Sequence, residues 1–291
     1  MRLFVDGLTV IDSTYLCPSR GLLGESWIVD VELQGELNDE GMVFDFSHVK
    51  KTIKASLDLH IDHKLIVPML SPAANVEQQS EEVVTLSCES GTGAIYVQSP
   101  LSAYALLPLA SIDDDSLARY LEEMLLKLLP ENVKGLTVNL RHETEEKPFY
   151  HYTHGLKLHD GNCQRIAHGH RSRIGIWVDG VPKPELEAAW AKRWHDIYLG
   201  SEDDLVSSSD TPFASNKGIE DSLCFAYSAS QGDFFIAVPK AQTEIVDCES
   251  TVECLSDYIC RQLSEEFPEK SIKVRAYEGV EKGAITERTV D

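Results

Sequence analysis

The sequence predicts an α+β fold built twice in tandem, residues 1–145 and then 146–291. Two observations carry that expectation. Predicted elements run β-β-α-hairpin-α-β in the first half and repeat in the same order in the second. Phe4 and Phe149, Gly24 and Gly169, and Gly35 and Gly180 each stand 145 positions apart, which a single duplication accounts for.

In the first half, LFVDGLTVI and SWIVDVELQG read as strands. The second alternates Trp27, Val29, Val31 and Leu33 against Ile28, Asp30 and Glu32. Cys17-Pro18-Ser19-Arg20-Gly21 makes the turn between them. Val49, Ile53 and Leu57 recur every fourth residue, so 46–59 reads as an amphipathic helix, followed by a loop with Asp62 and His63. VVTLSC and AIYVQSP form a hairpin through Glu89 to Gly93. Asp114 caps a second helix that carries Leu117, Leu121, Met124, Leu125 and Leu128 on one side and ends before Pro130. LTVNLRHE is a strand ending near Glu143.

The second half repeats the pattern. FYHYTHGL and SRIGIWVDG are strands, and PELEAAWAKRWHDIYL is a helix. LCFAYSAS and FFIAVP make a hairpin. STVECLSDYICRQLSEEF is a helix with Leu255, Ile259 and Leu263 in register, and IKVRAYE closes the repeat.

The 291 residues are 43% hydrophobic and 25% charged, the composition of a chain with a buried core. No stretch reaches the roughly 20 apolar residues that span a membrane. The N-terminus lacks the basic and apolar regions of a signal peptide. Seven cysteines without a CxxC pair argue against a disulfide framework or thiolate zinc cluster, and fit a reducing cytoplasm. A formal charge of −22 excludes nucleic acid and anionic membranes as expected partners.

The chemistry concentrates in HGLKLHDGNCQRIAHGH, residues 154–170. His168-Gly169-His170 opens a strand, where positions i and i+2 share a face. The two imidazoles can meet one ion, Gly169 leaves the other face uncrowded, and His154 supplies a third nitrogen from a neighbouring strand. His159 competes for that third place. Three neutral imidazoles with an open position describe a catalytic zinc site; an HxH pair alone is equally the mark of two ordinary strand histidines. At the 145 offset, His154 falls on Thr9, His168 on Leu23 and His170 on Glu25, so the first half lacks these ligands. Asp62-His63 falls near Glu202-Asp203, so the second half lacks the acid–histidine pair. The halves are complementary.

THGL, Cys163 with Gln164-Arg165-Ile166-Ala167, and His168-Gly169-His170 resemble the zinc and cysteine signature of the 6-pyruvoyl-tetrahydropterin and 6-carboxytetrahydropterin synthases. GMVFDFSHVKK and LHIDHKL are similar to that family's aspartate–histidine segment, and Glu143 and Glu278 sit where it has a pterin-anchoring glutamate. The resemblance is specific in residues 41–65, 149–180 and 272–281. It departs in the four residues between Cys163 and His168, in the added hairpins, and in the absence of an Asn near Ile66. It implies the tunnelling fold: per repeat, a four-stranded antiparallel sheet with two helices on one face, here with an added hairpin. Copies form a homo-oligomer with sites between neighbours.

The resemblance further implies a lyase acting on 7,8-dihydroneopterin triphosphate with loss of triphosphate. Zn²⁺ on His154, His168 and His170 would bind side-chain oxygens, Cys163 would act as base, and His63 oriented by Asp62 would lower the thiol pKa. Glu143 or Glu278 would anchor the pterin. Arg165, Arg171, Arg173, Lys50, Lys51, Lys54 and Lys64 are candidate cations for the triphosphate, each also explicable as a surface charge. One composite site per chain is expected, making the 6-carboxy product rather than the pyruvoyl one. The alternatives are a pterin-binding or scaffold protein that keeps fold and zinc without catalysis, and a zinc hydrolase unrelated to pterins. Cys17 reads as a relic, Cys254 and Cys260 as packing. His48, His60, His142, His151 and His195 have no partner spacing that favours function.

Overall fold

The computed structural model describes residues 1–39, 41–144 and 146–289. The first repeat runs β1 (Arg2–Cys17), β2 (Gly21–Gly35), α1 (Phe46–His60), β3 (Leu65–Pro68), β4 (Ala74–Gln78), β5 (Val83–Ser90), β6 (Gly93–Pro100), β7 (Tyr104–Leu107), α2 (Asp114–Leu126) and β8 (Val133–Arg141). The second runs β9 (Phe149–His154), β10 (His168–Val178), β11 (Val181–Pro182), α3 (Pro184–Arg193), β12 (Ile197–Ser201), β13 (Leu205–Val206), β14 (Ser222–Ala229), β15 (Gly232–Pro239), β16 (Thr243–Val246), α4 (Val252–Glu266), β17 (Ile272–Tyr277) and β18 (Gly283–Arg288).

Each repeat packs two helices on a sheet. Asp45 caps α1 by accepting from the Ser47 and His48 amides, and Val49, Ile53 and Leu57 are fully buried against β1 and β2. Such burial stabilises by about 1.5–3 kcal/mol per side chain. The cap of α2 is Asp113, in a capping box with Ser116, not Asp114. Asp114 instead accepts from Trp27 Nε1 at 2.8 Å. In the second repeat Trp190, Trp194, Leu255, Ile259 and Leu263 bury the helices against the sheet.

Three expectations are corrected. The sheets are mixed, not antiparallel four-stranded ones. The first is ordered β7-β3-β1-β2-β8, and β3 and β7 are added parallel to β1. In the second, β12 and β16 lie parallel beside β9. Sequence periodicity alone assigns these short strands to the tails of helices or to loops. Thus α3 stops at Arg193 because Asp196 turns the chain with φ 57, and IYLGS leaves as a strand. Finally, the two hairpins are not private to their repeats: β6 pairs with β15, giving a third sheet ordered β13-β14-β15-β6-β5-β4.

The repeats meet where β2 crosses β10. Gly169 does not face open space: a Cβ there would lie 2.3 Å from the Tyr152 carbonyl oxygen and 2.7 Å from Gly24 Cα. A Cβ on Gly24 would fall 1.9 Å from the same oxygen. Beside this crossing the buried hydroxyls of Thr14 and Thr153 bond at 2.9 Å. No helix among the described residues is long and apolar enough to cross a membrane.

Candidate active site

His154 on β9 stands directly opposite His168 on β10, and His170 shares the face of His168. All three are buried, with one ligating nitrogen from each within 4.8 Å of the others. His154 Nδ1 lies 2.9 Å from the Ser250 carbonyl oxygen, and His168 Nδ1 lies 2.9 Å from that of Arg165. A carbonyl only accepts, so these contacts fix the proton on Nδ1 and leave Nε2 as a bare lone pair. The Nε2 atoms of all three histidines are buried without a hydrogen-bond partner. Three orphaned lone pairs converging in an apolar interior are costly unless a cation takes them up. Burial, followed by the repulsion of neighbouring imidazoles, pushes His154 and His168 well below the usual histidine range. Neutral imidazoles are what a zinc ion requires, so the residues present fit that metal.

The first repeat closes the cluster. The His63 ring centroid is 5.5 Å from that of His168 and 6.4 Å from that of His170. Asp62 Oδ2 is 2.8 Å from His63 Nδ1, and the His63 ring is within hydrogen-bonding reach of the Cys163 sulfur. Asp62, His63 and Cys163 thus come together across the repeats. His63 is left-handed, with φ 54, a conformation that costs a non-glycine residue about 1–3 kcal/mol. It is held there by its amide on the Asp12 carbonyl at 2.9 Å and by Arg165 Nη1, which donates to the carbonyls of Asp62 and His63 at 3.3 and 3.1 Å.

Burial alone would depress His63, but the Asp62 carboxylate and the Cys163 sulfur outweigh it and raise its pKa to about 10. A group raised in the folded state adds stability that is complete below its unfolded pKa, near 6.5, and is lost as pH rises through about 10. The thermal stability of the metal-free protein is therefore expected to fall across this window more steeply in wild type than in His63→Asn. Parallel curves for the two would remove His63 as the group responsible.

Of the two glutamates, Glu278 stands at the cluster, its Oε1 3.9 Å from His170 Nε2. Glu143 is paired elsewhere, accepting from Arg173 Nη2 at 3.1 Å. His159 is exposed on a loop, its Nδ1 2.6 Å from the Asp160 carbonyl oxygen, and takes no part. Among the cations, Lys64 and Arg165 flank His63. Burial, then Arg165, lowers Lys64 to about 8; burial lowers Arg165 to about 10. Lys50, Lys51 and Lys54 are exposed on α1.

Strand pairing also corrects the correspondence between repeats. Thr14 pairs with Gly24 and Thr153 with Gly169, so His154 answers to Tyr15, not Thr9. Leu65 pairs with Thr14 and Tyr198 with Thr153, so Asp62-His63 answers to His195-Asp196, not Glu202-Asp203. Asp196 shares the left-handed backbone of His63, at φ 57. The 145 offset holds on β2 and β10 but slips where loops differ in length. The corresponding place is thus occupied by Tyr15, Leu23 and Glu25 in lieu of the histidines, with Arg20 bonded twice to Asp196 at 2.8 and 2.7 Å. His142, His151 and His195, which spacing alone left without partners, lie here: His142 and His151 within 3.3 and 3.5 Å of Glu25, His195 within 3.3 Å of Asp196.

Sequence spacing did not single out Asp12, Ser26, Ser250 or Lys282, which surround the histidines.

The family model described as 6-pyruvoyl tetrahydropterin synthase matches the chain twice, over residues 17–149 and 143–289. A Pyrococcus horikoshii protein named "Putative 6-carboxy-5,6,7,8-tetrahydropterin synthase" is 37% identical over 62 residues, 21% of this chain and 36% of that one. The match thus spans about a third of that relative's length. A Pyrococcus abyssi protein of the same name is 26% identical over 135 residues, 46% of this chain and 77% of its own. A solved 6-pyruvoyltetrahydropterin synthase from Plasmodium vivax is 20% identical with a TM-score of 0.38, covering 48% of this chain and 97% of that one.

Proposed function

The chain belongs to the 6-pyruvoyl tetrahydropterin synthase family, and from that premise we propose that it is a zinc-dependent pterin synthase with one composite site per chain. The substrate in this proposal is 7,8-dihydroneopterin triphosphate, converted with loss of triphosphate to a 6-carboxy- or 6-pyruvoyl-tetrahydropterin. The observation that carries it is the convergence of three orphaned Nε2 atoms from one repeat on the Asp62–His63–Cys163 set that needs both repeats. His154, His168 and His170 hold the zinc, which when bound supplies Lewis acidity toward side-chain oxygens and an electrostatic sink for enolate-like charge.

The remaining roles fall to the chain itself. Cys163 takes a proton from a side-chain carbon, the C–H electron pair staying with carbon as S–H forms. His63, anchored by Asp62, carries the proton onward. The Glu278 carboxylate accepts from the N–H and amino edge of the pterin, a charge-assisted pair. The β9–β10 pair and the crossing strands of the first repeat keep bulk water from the histidines, all three buried. A cytoplasmic setting and assembly of several copies belong to the same proposal.

The test is incubation of zinc-loaded protein with dihydroneopterin triphosphate and mass spectrometry of the products. Release of acetaldehyde marks the 6-carboxy product, the outcome expected here. Glu278→Gln is expected to reduce kcat/KM by about 10- to 100-fold, the loss of one charged hydrogen-bond set. Tight pterin binding in calorimetry with no product at all would instead make the protein a pterin binder.

A further inference from the structure

We propose that Asp12 is a positioning residue through which the first repeat sets the metal affinity of the second. It contacts both the acid–histidine pair and one of the three clustered histidines. The Asp12 amide donates to Asp62 Oδ1 at 2.8 Å, and its carbonyl accepts from the His63 amide at 2.9 Å, so its backbone seats the acid–histidine pair. Its carboxylate reaches the opposite way: Oδ1 accepts from Ser26 Oγ at 2.5 Å and lies 3.2 Å from His170 Nδ1, while Oδ2 lies 3.1 Å from Lys282 Nζ. The inference rests on the zinc proposal above and adds to it a residue from the other repeat.

The physical reason is the tautomer of His170. His154 and His168 have carbonyl oxygens on Nδ1; His170 has none, and the anionic oxygen of Asp12 is what stands beside its Nδ1. The contact lies off the line of the ring N–H, so it acts as a charge near the nitrogen and not as a straight hydrogen bond. An anion there favours the proton on Nδ1 and leaves the Nε2 lone pair toward the cluster. Burying that anion would be costly, and the site compensates with Ser26, Lys282 and a fitted turn. Gly279, at φ 69, brings the β17–β18 turn down on the carboxylate, and a Cβ there would fall 2.4 Å from Asp12 Oδ1.

A second observation points the same way. By strand pairing His151 is the counterpart of Asp12, and Glu25 that of His170. There Glu25 Oε2 lies 3.5 Å from His151 Nδ1. The same acid–imidazole contact joins the repeats at both places, with the two partners exchanged. Among the described residues, only where the imidazole is on β10 do three histidines bring ligating nitrogens within 4.8 Å of one another.

Cobalt(II) binding to metal-free protein, followed by visible absorption and by chelator competition, tests this. Wild type is expected to bind one ion per chain; no binding would overturn the zinc proposal itself. Asp12→Asn keeps the shape and removes the charge, and is expected to weaken cobalt binding about 10- to 100-fold and to alter the ligand-field bands. Lys282→Met leaves Asp12 in place and removes the ammonium that shares it, and is expected to tighten binding several-fold. Wild-type affinity and spectrum in a folded Asp12→Asn protein would overturn the role of Asp12. Should that variant fail to fold, unchanged affinity in Lys282→Met would do the same.

Discussion

Replacing His63 is expected to lower turnover of dihydroneopterin triphosphate by about 10²- to 10⁴-fold while the protein keeps its full complement of zinc, the usual contribution of a positioned acid–base group. The separation follows from the geometry. His63 lies beside the histidine cluster, 5.5 Å from His168 between ring centroids, yet the three converging nitrogens all come from the second repeat. Asparagine is the replacement to make, because it tolerates the left-handed backbone at φ 54 better than alanine does. Cys163→Ala is expected to behave alike: metal retained, product absent. The decisive measurement is metal content and product formation on the same sample. Near wild-type turnover by either variant would end the assignment of proton transfer to this pair.

His170→Ala is expected to do the reverse and empty the site. Wild type should carry about one zinc per chain and the variant essentially none, with turnover falling to background. The variant also has a stability signature. An ion bound at a hundredfold excess over its dissociation constant raises stability by about 2.7 kcal/mol. Added zinc should therefore raise the Tm of wild type and leave that of His170→Ala in place. Two zinc ions per wild-type chain would contradict the single composite site, since Tyr15, Leu23 and Glu25 stand where a second set of histidines would have to be.

The residues legible in the sequence were those whose spacing is itself the chemistry. His168-Gly169-His170 at strand period, Cys163 just upstream and adjacent Asp62-His63 needed no knowledge of packing to be noticed. The two hairpins and the buried faces of α1 and α4 were equally plain from periodicity. Parallel strands such as Leu65–Pro68 and Ile197–Ser201 were not. They are four or five residues long and wholly buried, so they show no alternation, and only their partner strands distinguish them from helix tails. Asp12 was invisible for a related reason. Its function depends on which strand crosses beneath it, a fact of tertiary structure with no local signature. The correspondence of His195-Asp196 with Asp62-His63 is not legible from a single offset, because loop lengths shift the register between elements.

The counterpart place bears on how this chain can change over time. Building a second site there would require histidine at Tyr15, Leu23 and Glu25, inversion of His195-Asp196, and removal of Arg20 from its two hydrogen bonds to Asp196. Taken singly, such a step discards a packed side chain or strands a charge whose partner remains behind: without Arg20, Asp196 keeps a carboxylate only 8% exposed, and without Glu25 His151 loses its acid. No single substitution yields a metal site. A second metal site in this chain would therefore need several substitutions made together, because the residues at the counterpart place also hold the joint between the repeats.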